Sequence, residues 1–316
     1  MNTEIKLAGL VQKAYEKLKA SDAQGASVLL EEALQIDFDN KETKHALKCV
    51  NWWLEQAFRL EKIKNPYEKG GIILSQLKQY YIFLDSLSQG GENYDLCQYA
   101  IRRYVFSEAL RCFEDVLGDG VNQHDPGLLL MVGRCYKGVG NYDESLKYLE
   151  QAVRFRREDG EVLAELADVN ALLGEDLTAK ALFREAFFQN PEKIDLRAME
   201  SEMVLRLRNR LAQEKNCREE ELREWIPVYG NLWGVFPVKR ELKPIEFGKL
   251  NQSIFSLETE CRGNPGQSGI LKPRLINRYF WLIDHYENTK DDRELIDEVL
   301  LKIKYTDKEI YDLYIR

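Results

Sequence analysis

Residues 133–153 read GRCYKGVGNYDESLKYLEQAV, and residues 167–187, ADVNALLGEDLTAKALFREAF, repeat that pattern 34 positions later. Six residue pairs carry the alignment: Gly133 and Ala167, Tyr136 and Asn170, Gly140 and Gly174, Ser145 and Ala179, Leu149 and Phe183, and Ala152 and Ala186. A small residue begins each copy, where two helices must come close together. Gly140 and Gly174 fall in the turn between the helices, because glycine adopts a left-handed backbone at the lowest cost. The spacing predicts two consecutive helix-turn-helix units.

This pattern resembles the tetratricopeptide repeat, a helix-turn-helix unit of the same period. Asn190-Pro191 ends the second copy, since proline cannot continue a helix. The resemblance implies an all-α solenoid of stacked helical hairpins, with a mainly helical cap domain at its C-terminal end. We expect the clearest repeats at residues 126–159 and 160–193, degenerate ones at 7–40 and 90–123, and a long helical hairpin at 41–90.

The composition changes near Arg218, which predicts a solenoid over residues 1–217 and an aromatic-rich cap domain over residues 218–316. The segment 225–238 has β-type residues on both sides of Gly230-Asn231. It is typical of a short β-hairpin or of an irregular loop, because its two prolines would confine strands to a sheet edge. Helices are expected over residues 244–260, 273–287, 292–303 and 307–315.

The cap has two possible roles, both carried by Trp225, Tyr229, Trp233 and Phe236. These aromatic residues either pack over the last apolar face of the solenoid or form a second partner surface. The segment 225–246 is similar to a C-terminal extension of spirochaetal repeat proteins, some of which scaffold flagellar structures. That similarity does not assign a role to any single residue.

Composition narrows the classes of partner and the compartment. The formal net charge is −8, which argues against general binding to nucleic acids or anionic membranes. No apolar run reaches the length needed to cross a bilayer, and the first twenty residues do not resemble a signal peptide. The six cysteines are dispersed along the chain, at positions 49, 97, 112, 135, 217 and 261. We therefore expect a cytoplasmic protein without membrane insertion.

Three groups of residues were weighed as reactive sites. His45 and Cys49 share a helical face, but two ligands do not make a zinc site. The glycines of residues 263–269 lack the Lys-Ser/Thr pair that grips a nucleotide phosphate. Asp284-His285 stands without a nucleophile motif elsewhere in the chain. We therefore expect no catalytic residues, no metal and no cofactor.

The resemblance also implies where a partner would bind. In such a solenoid the first helix of each unit lines a concave groove, which here comprises Leu130, Met131, Arg134, Lys137, Glu165, Asp168, Met199 and Glu202. Family members that capture a C-terminal carboxylate use Lys, Arg and Asn in this groove. Because Glu165 and Asp168 are acidic, we expect an amphipathic or basic helix instead.

The function expected from these observations is a non-enzymatic scaffold or adaptor that presents a rigid curved surface to another protein. One alternative is a homo-oligomeric structural component of a motility or envelope assembly that associates through the C-terminal domain. Another is a ligand sensor or enzyme whose site lies where the solenoid meets the C-terminal domain.

Overall fold

The computed structural model describes residues 2–87, 94–118, 120, 124–215, 217–290 and 293–316, and these residues are mostly helical with no strand among them. The chain divides into two compact units, Met1–Ala152 and Val153–Arg316. The all-α class expected from the sequence is confirmed. The change of composition near Arg218 falls inside the second unit. Within the described ranges, each helix is too short or too polar to span a lipid bilayer.

The first unit is formed by helices whose starts are set by polar side chains. Its helices are α1 Asn2–Lys19, α2 Ala23–Ile36, α3 Lys41–Leu60, α4 Pro66–Leu87, α5 Asp95–Gly118, α6 Pro126–Gly138 and most of α7, Tyr142–Phe155. Asp22, Asn40 and Asp125 each accept a backbone N–H of the helix that follows. Such caps satisfy amides that have no partner inside the helix.

Helix α5 is the centre of the first unit, packing against α1, α4 and α6. Its residues Ala100, Ile101, Ala109 and Phe113 are at most 1% exposed. The range 90–123, expected as a degenerate repeat, contains this single helix, because no glycine or proline interrupts it before Gly118. Residues 90–93, 119 and 121–123 of that range lie outside the described residues.

The 34-residue period extends to the helix boundaries. Helices α6 and α7 are followed, exactly one period later, by α8 Gly160–Leu172 and α9 Asp176–Gln189. The predicted glycine turns are confirmed, since φ is +79° at Gly140 and +84° at Gly174. Within the first pair, the Ser145 hydroxyl donates to the Gly133 carbonyl over 2.7 Å. The stacking of such pairs into a solenoid stays a prediction.

The second unit continues with α10 Glu202–Glu214, α11 Glu219–Leu232, α12 Pro244–Gly263, α13 Ser268–Thr289, α14 Arg293–Thr306 and α15 Lys308–Tyr314. Short 3-10 helices occupy Pro191–Lys193 and Pro265–Gln267. Helix α13 lies in the core and packs against α11, α12 and α14. The four helices expected after residue 243 are therefore confirmed, with ends that differ by a few residues.

The hairpin expected over residues 225–238 is wrong, because most of that segment belongs to α11. Gly230 is not a turn glycine: a β-carbon there would lie 2.3 Å from the Phe236 ring. The left-handed turn falls instead at Gly234, where φ is +68°. The aromatic residues at 225, 229 and 233 recur every fourth position, a helical spacing that their β propensity concealed.

A second correction concerns residues 194–211, whose apolar periodicity predicts a helix from Ile194, whereas α10 begins only at Glu202. The preceding segment is irregular, and its Leu196 and Met199 are buried. The Asp168 carboxylate holds this segment by accepting the backbone N–H groups of Glu200 and Ser201. A contact made from another helix thus overrides the helical periodicity of the local sequence.

The start of α12 provides a pH-dependent contribution to stability. Glu246 accepts the Lys243 backbone N–H over 2.8 Å and pairs with Arg240 over 3.0 Å. The Arg240 hydrogen bond lowers the pKa of Glu246 below its ordinary value of 4.5. The carboxylate therefore stabilises the fold above pH 4.5, and that contribution is lost as the pH falls through the lowered pKa.

Glu246→Gln is expected to be less stable than the natural protein at neutral pH, and its stability should depend less on pH as the pH falls below 4.5. Urea unfolding at several pH values measures how the free energy of unfolding changes with pH. Glu298→Gln, on α14, is a suitable control because the exposed Glu298 makes no hydrogen bond or ion pair with the described part of the chain. Parallel pH profiles for Glu246→Gln and the natural protein would contradict the assignment.

Candidate partner-binding cleft

The eight predicted groove residues divide equally between the two units. In the first unit, Leu130 and Lys137 are buried, while Met131 and Arg134 are half-buried. In the second unit, Glu165, Asp168 and Met199 are buried, and Glu202 is exposed. Five of the eight side chains therefore have little contact with solvent.

Asp168 has a structural task in the second unit. Its carboxylate accepts the Glu200 N–H at 2.9 Å and the Ser201 N–H at 2.9 Å, just before α10 begins. Charge-assisted hydrogen bonds of this kind are stronger than neutral ones, and the carboxylate is fully buried. Glu165 is also fully buried. The argument for a basic guest relied on these two charges, neither of which faces solvent.

The predicted aromatic surface is mostly core. Trp225, Tyr229 and Phe236 are 9%, 2% and 1% exposed, respectively, whereas Trp233 is half-buried. The ring centres of Tyr229 and Trp233 are 4.9 Å apart at the end of α11. Trp233 is thus the member of the four that offers an accessible face.

Trp233 and Glu202 both line a cleft of about 560 Å³ in the second unit. The cleft lies between the end of α8, the start of α9, α10 and the turn after α11. Its apolar lining comprises Ala171, Met203, Leu207, Trp233 and Val235, and its charged lining comprises Asp176, Lys180, Glu202, Arg206 and Arg210. This volume lies in the usual range of ligand-binding pockets.

Three basic side chains face two acidic ones around this cleft. The Arg210 guanidinium carbon lies 3.8 Å from the centre of the Trp233 ring, and Arg210 Nε donates to Glu214 over 2.9 Å. Arg206 pairs with Glu202 over 2.8 Å, both side chains being 76% exposed. Such exposed pairs contribute little to stability, so a ligand can compete for these arginines.

Lys180, on α9, adds a positive charge that makes no hydrogen bond or ion pair with any residue in the described part of the chain. In the sequence, the arginines of residues 206–210 are typical of a solvated basic helix face, an interpretation that does not connect them with Lys180. One signal was present. Arg206 and Arg210 are four residues apart, as are Met203 and Leu207, which places cations beside apolar residues on one helix.

The two pairs weighed as reactive sites take part in packing. The His45 ring stacks on Tyr94 with ring centres 3.9 Å apart, and Cys49 lies 3.8 Å from the Gln98 amide nitrogen. His285 Nδ1 accepts the Leu242 N–H over 3.2 Å. Among the residues that the structure describes, no three His, Cys, Asp or Glu side chains are placed to share a metal ion.

Comparison with known proteins adds no relative. No family profile matches the chain, and no curated protein sequence is significantly similar to it. The fold defines an all-helical protein whose clearest feature is a pair of helical hairpins with identical spacing. Membership of the tetratricopeptide family stays a prediction.

Proposed function

We propose that this protein is a non-enzymatic interaction protein that binds an amphipathic segment of another protein in the cleft of the second unit. The observation that carries the proposal is the combination of an apolar lining with Lys180, Arg206 and Arg210 at one cleft. Apolar side chains of the partner would occupy the floor, and its acidic side chains would meet the three cations. The partner proposed here is a protein segment, as expected from the sequence. The three cations of the cleft favour acidic rather than basic side chains on that segment.

The apolar contacts would supply most of the affinity. Burying one leucine-sized side chain contributes about 1.5–3 kcal/mol, whereas an exposed ion pair contributes about 0–1 kcal/mol. Trp233 is suited to be the anchor, since aromatic residues and arginine dominate the binding energy of most interfaces. Its ring already holds the Arg210 guanidinium in place. Little ordering is therefore required on this side of the interface.

The test is site-specific photo-crosslinking in the native cell, with the reactive group placed at Met203. We expect crosslinks to one partner segment, identified by mass spectrometry, that contains both apolar and acidic residues. The matched control places the same reactive group at Arg208, which is on the same helix but outside the cleft lining. Crosslinks from position 208 alone, or to a basic segment, would rule out this cleft or this class of partner.

Affinity measurements with the identified segment complete the test. Arg210→Glu is expected to weaken binding by about tenfold or more, equivalent to about 1.4 kcal/mol. Arg208→Glu carries the same charge change and should bind like the natural protein. Crosslinking of the protein only to itself would favour the homo-oligomeric alternative. Point variants are preferred to truncation, because α11–α13 share one hydrophobic core with α9 and α10 and removing them would expose it.

A further inference from the structure

Arg278, on α13, is a half-buried charged side chain that stacks on an aromatic ring. Its guanidinium carbon lies 3.9 Å from the centre of the Phe188 ring. Its Nε is buried and has no acceptor. No hydrogen bond or ion pair joins Arg278 to any residue within the described ranges. Stacking on an aromatic face orients the guanidinium but does not neutralise its charge.

The nearby carboxylates are engaged by other arginines. Arg274 Nε donates to Glu224 over 3.1 Å, and Arg274 Nη2 donates to Glu192 over 3.3 Å. Arg240 forms three hydrogen bonds to Glu185, two from Nη2 at 3.1 and 3.2 Å and one from Nε at 3.3 Å. The carboxylates near Arg278 therefore form their hydrogen bonds with Arg274 and Arg240 and not with Arg278.

The electrostatic cost of this arrangement appears in the pKa of Arg278. Burial, together with the like charge of Arg274, lowers this pKa to about 10. The ordinary pKa of arginine is 12.5, and at the lowered value Arg278 is still charged at neutral pH. Arg278 is half-buried with its Nε enclosed, and a charge with so little access to water is normally paired.

The side chain lines a small cleft of about 150 Å³, which has room for about five waters. Its other lining residues are Glu158, Phe188, Gln189, Arg240, Glu246, Lys249, Leu250 and Ser253. Lys249 Nζ lies 3.5 Å from Glu158 in a largely exposed pair, and Ser253 makes no hydrogen bond to the described part of the chain. Arg278, Lys249 and Ser253 thus present three donor groups to one small space.

We propose that this cleft binds an oxyanion, the carboxylate or phosphate group of a ligand, through Arg278, Lys249 and Ser253. A guanidinium donates in a planar fork that matches two oxygens of either group, and Lys249 adds a second positive charge. The small volume admits the anionic group itself and leaves the remainder of the ligand outside. This site is independent of the partner-binding cleft, with which it shares no residue.

The test is calorimetric titration of the full-length protein with inorganic phosphate and, separately, with glutarate, at constant ionic strength. We expect one saturable site for at least one of the two anions. Preference for phosphate or glutarate identifies which oxyanion the ligand carries. Absence of saturable binding for both anions at millimolar concentration would overturn the proposal.

Variants locate the binding to the cleft. Arg278→Gln should abolish it, and Lys249→Ala should weaken it about tenfold. Glu158→Gln should strengthen it by releasing Lys249 from its ion pair. Lys272→Ala is the matched control, since Lys272 is on α13 but lines a different pocket. Equal loss of binding in Lys272→Ala and Lys249→Ala would show general charge attraction and overturn the site.

Folding of the variants is checked without ligand. Arg278→Met should melt at the same temperature as the natural protein or higher, because it removes a half-buried charge that makes no ion pair with the described residues. A large fall in melting temperature would mean that the guanidinium already has a stabilising partner, contrary to the proposal. Arg210→Glu should leave anion binding unchanged, so this proposal and the proposed function can fail separately.

Discussion

Replacing Asp284 with alanine is expected to destabilise the protein by about 3–5 kcal/mol, the usual effect of breaking a buried ion pair. Arg184, on α9, pairs with Asp284, on α13, and the two side chains are 7% and 2% exposed. Burial lowers the pKa of Arg184 to about 10, which shows how poorly the site solvates a lone charge. Asp284→Ala would remove the ion pair and leave that guanidinium with a hydrogen bond to the Val238 carbonyl and its position over the Trp281 ring.

The measurement is the free energy of unfolding in urea, and a double variant is its control. Arg184→Met together with Asp284→Leu removes both charges and fills a similar volume. We expect it to recover most of the lost stability, since apolar replacements of buried pairs are often neutral or stabilising. Lys239, 3.4 Å from Asp284 and 41% exposed, can turn to solvent in either variant. An Asp284→Ala protein as stable as the natural one would contradict the role assigned to the pair.

Gly133→Leu is the second large effect, with an expected loss of about 3 kcal/mol, the upper end of the usual cost of overpacking. A β-carbon at Gly133 would lie 2.6 Å from Leu149 Cγ, closer than real atoms approach. The hydrogen bond between the Ser145 hydroxyl and the Gly133 carbonyl also holds α6 against α7 at this point. The two helices must separate before a larger side chain can enter.

Urea unfolding of Gly133→Leu is best compared with Gly9→Leu. Gly9 lies in α1, and a β-carbon there meets no atom within 4 Å. The Gly9 variant should be as stable as the natural protein or slightly more so, because leucine has the higher helix propensity. Equal stability of the two variants would mean that α6 and α7 do not touch at Gly133. Ala167→Leu, one period later at a fully buried position, should behave like Gly133→Leu.

The sequence-based predictions succeeded where the deciding interactions join residues that are close together in the chain. The glycine turns at Gly140 and Gly174 were found because a left-handed backbone is a property of one residue and its neighbours. The four C-terminal helices were found for a similar reason, since apolar periodicity acts over a few positions. The proline signal located the start of α12 at Pro244 but failed for α13, which begins at Ser268 and contains Pro273. The hairpin was wrong because aromatic residues suit both strands and buried helix faces.

The candidate site was less accessible to the same reasoning. Glu165 and Asp168 were taken as groove acids from their helical positions, but burial is set by whatever packs against them. Asp168 is engaged by backbone amides 32 and 33 residues further along the chain. Lys180 and Arg210 come from different helices, and Trp233 from the turn after a third. No local pattern places these three side chains together.

The sequence by itself determined the all-helical class, the identical spacing of two helical hairpins and the positions of their turns. These properties depend on hydrogen bonds and backbone angles within a few residues. Tertiary structure decided which charges are buried, paired or left facing a cleft. The Arg184–Asp284 pair joins residues 100 positions apart, and Arg278 makes no ion pair with the described residues because Arg274 and Arg240 engage the nearby carboxylates. Solvation and pairing of a charge depend on the whole packed surroundings, and only the folded chain brings those surroundings together.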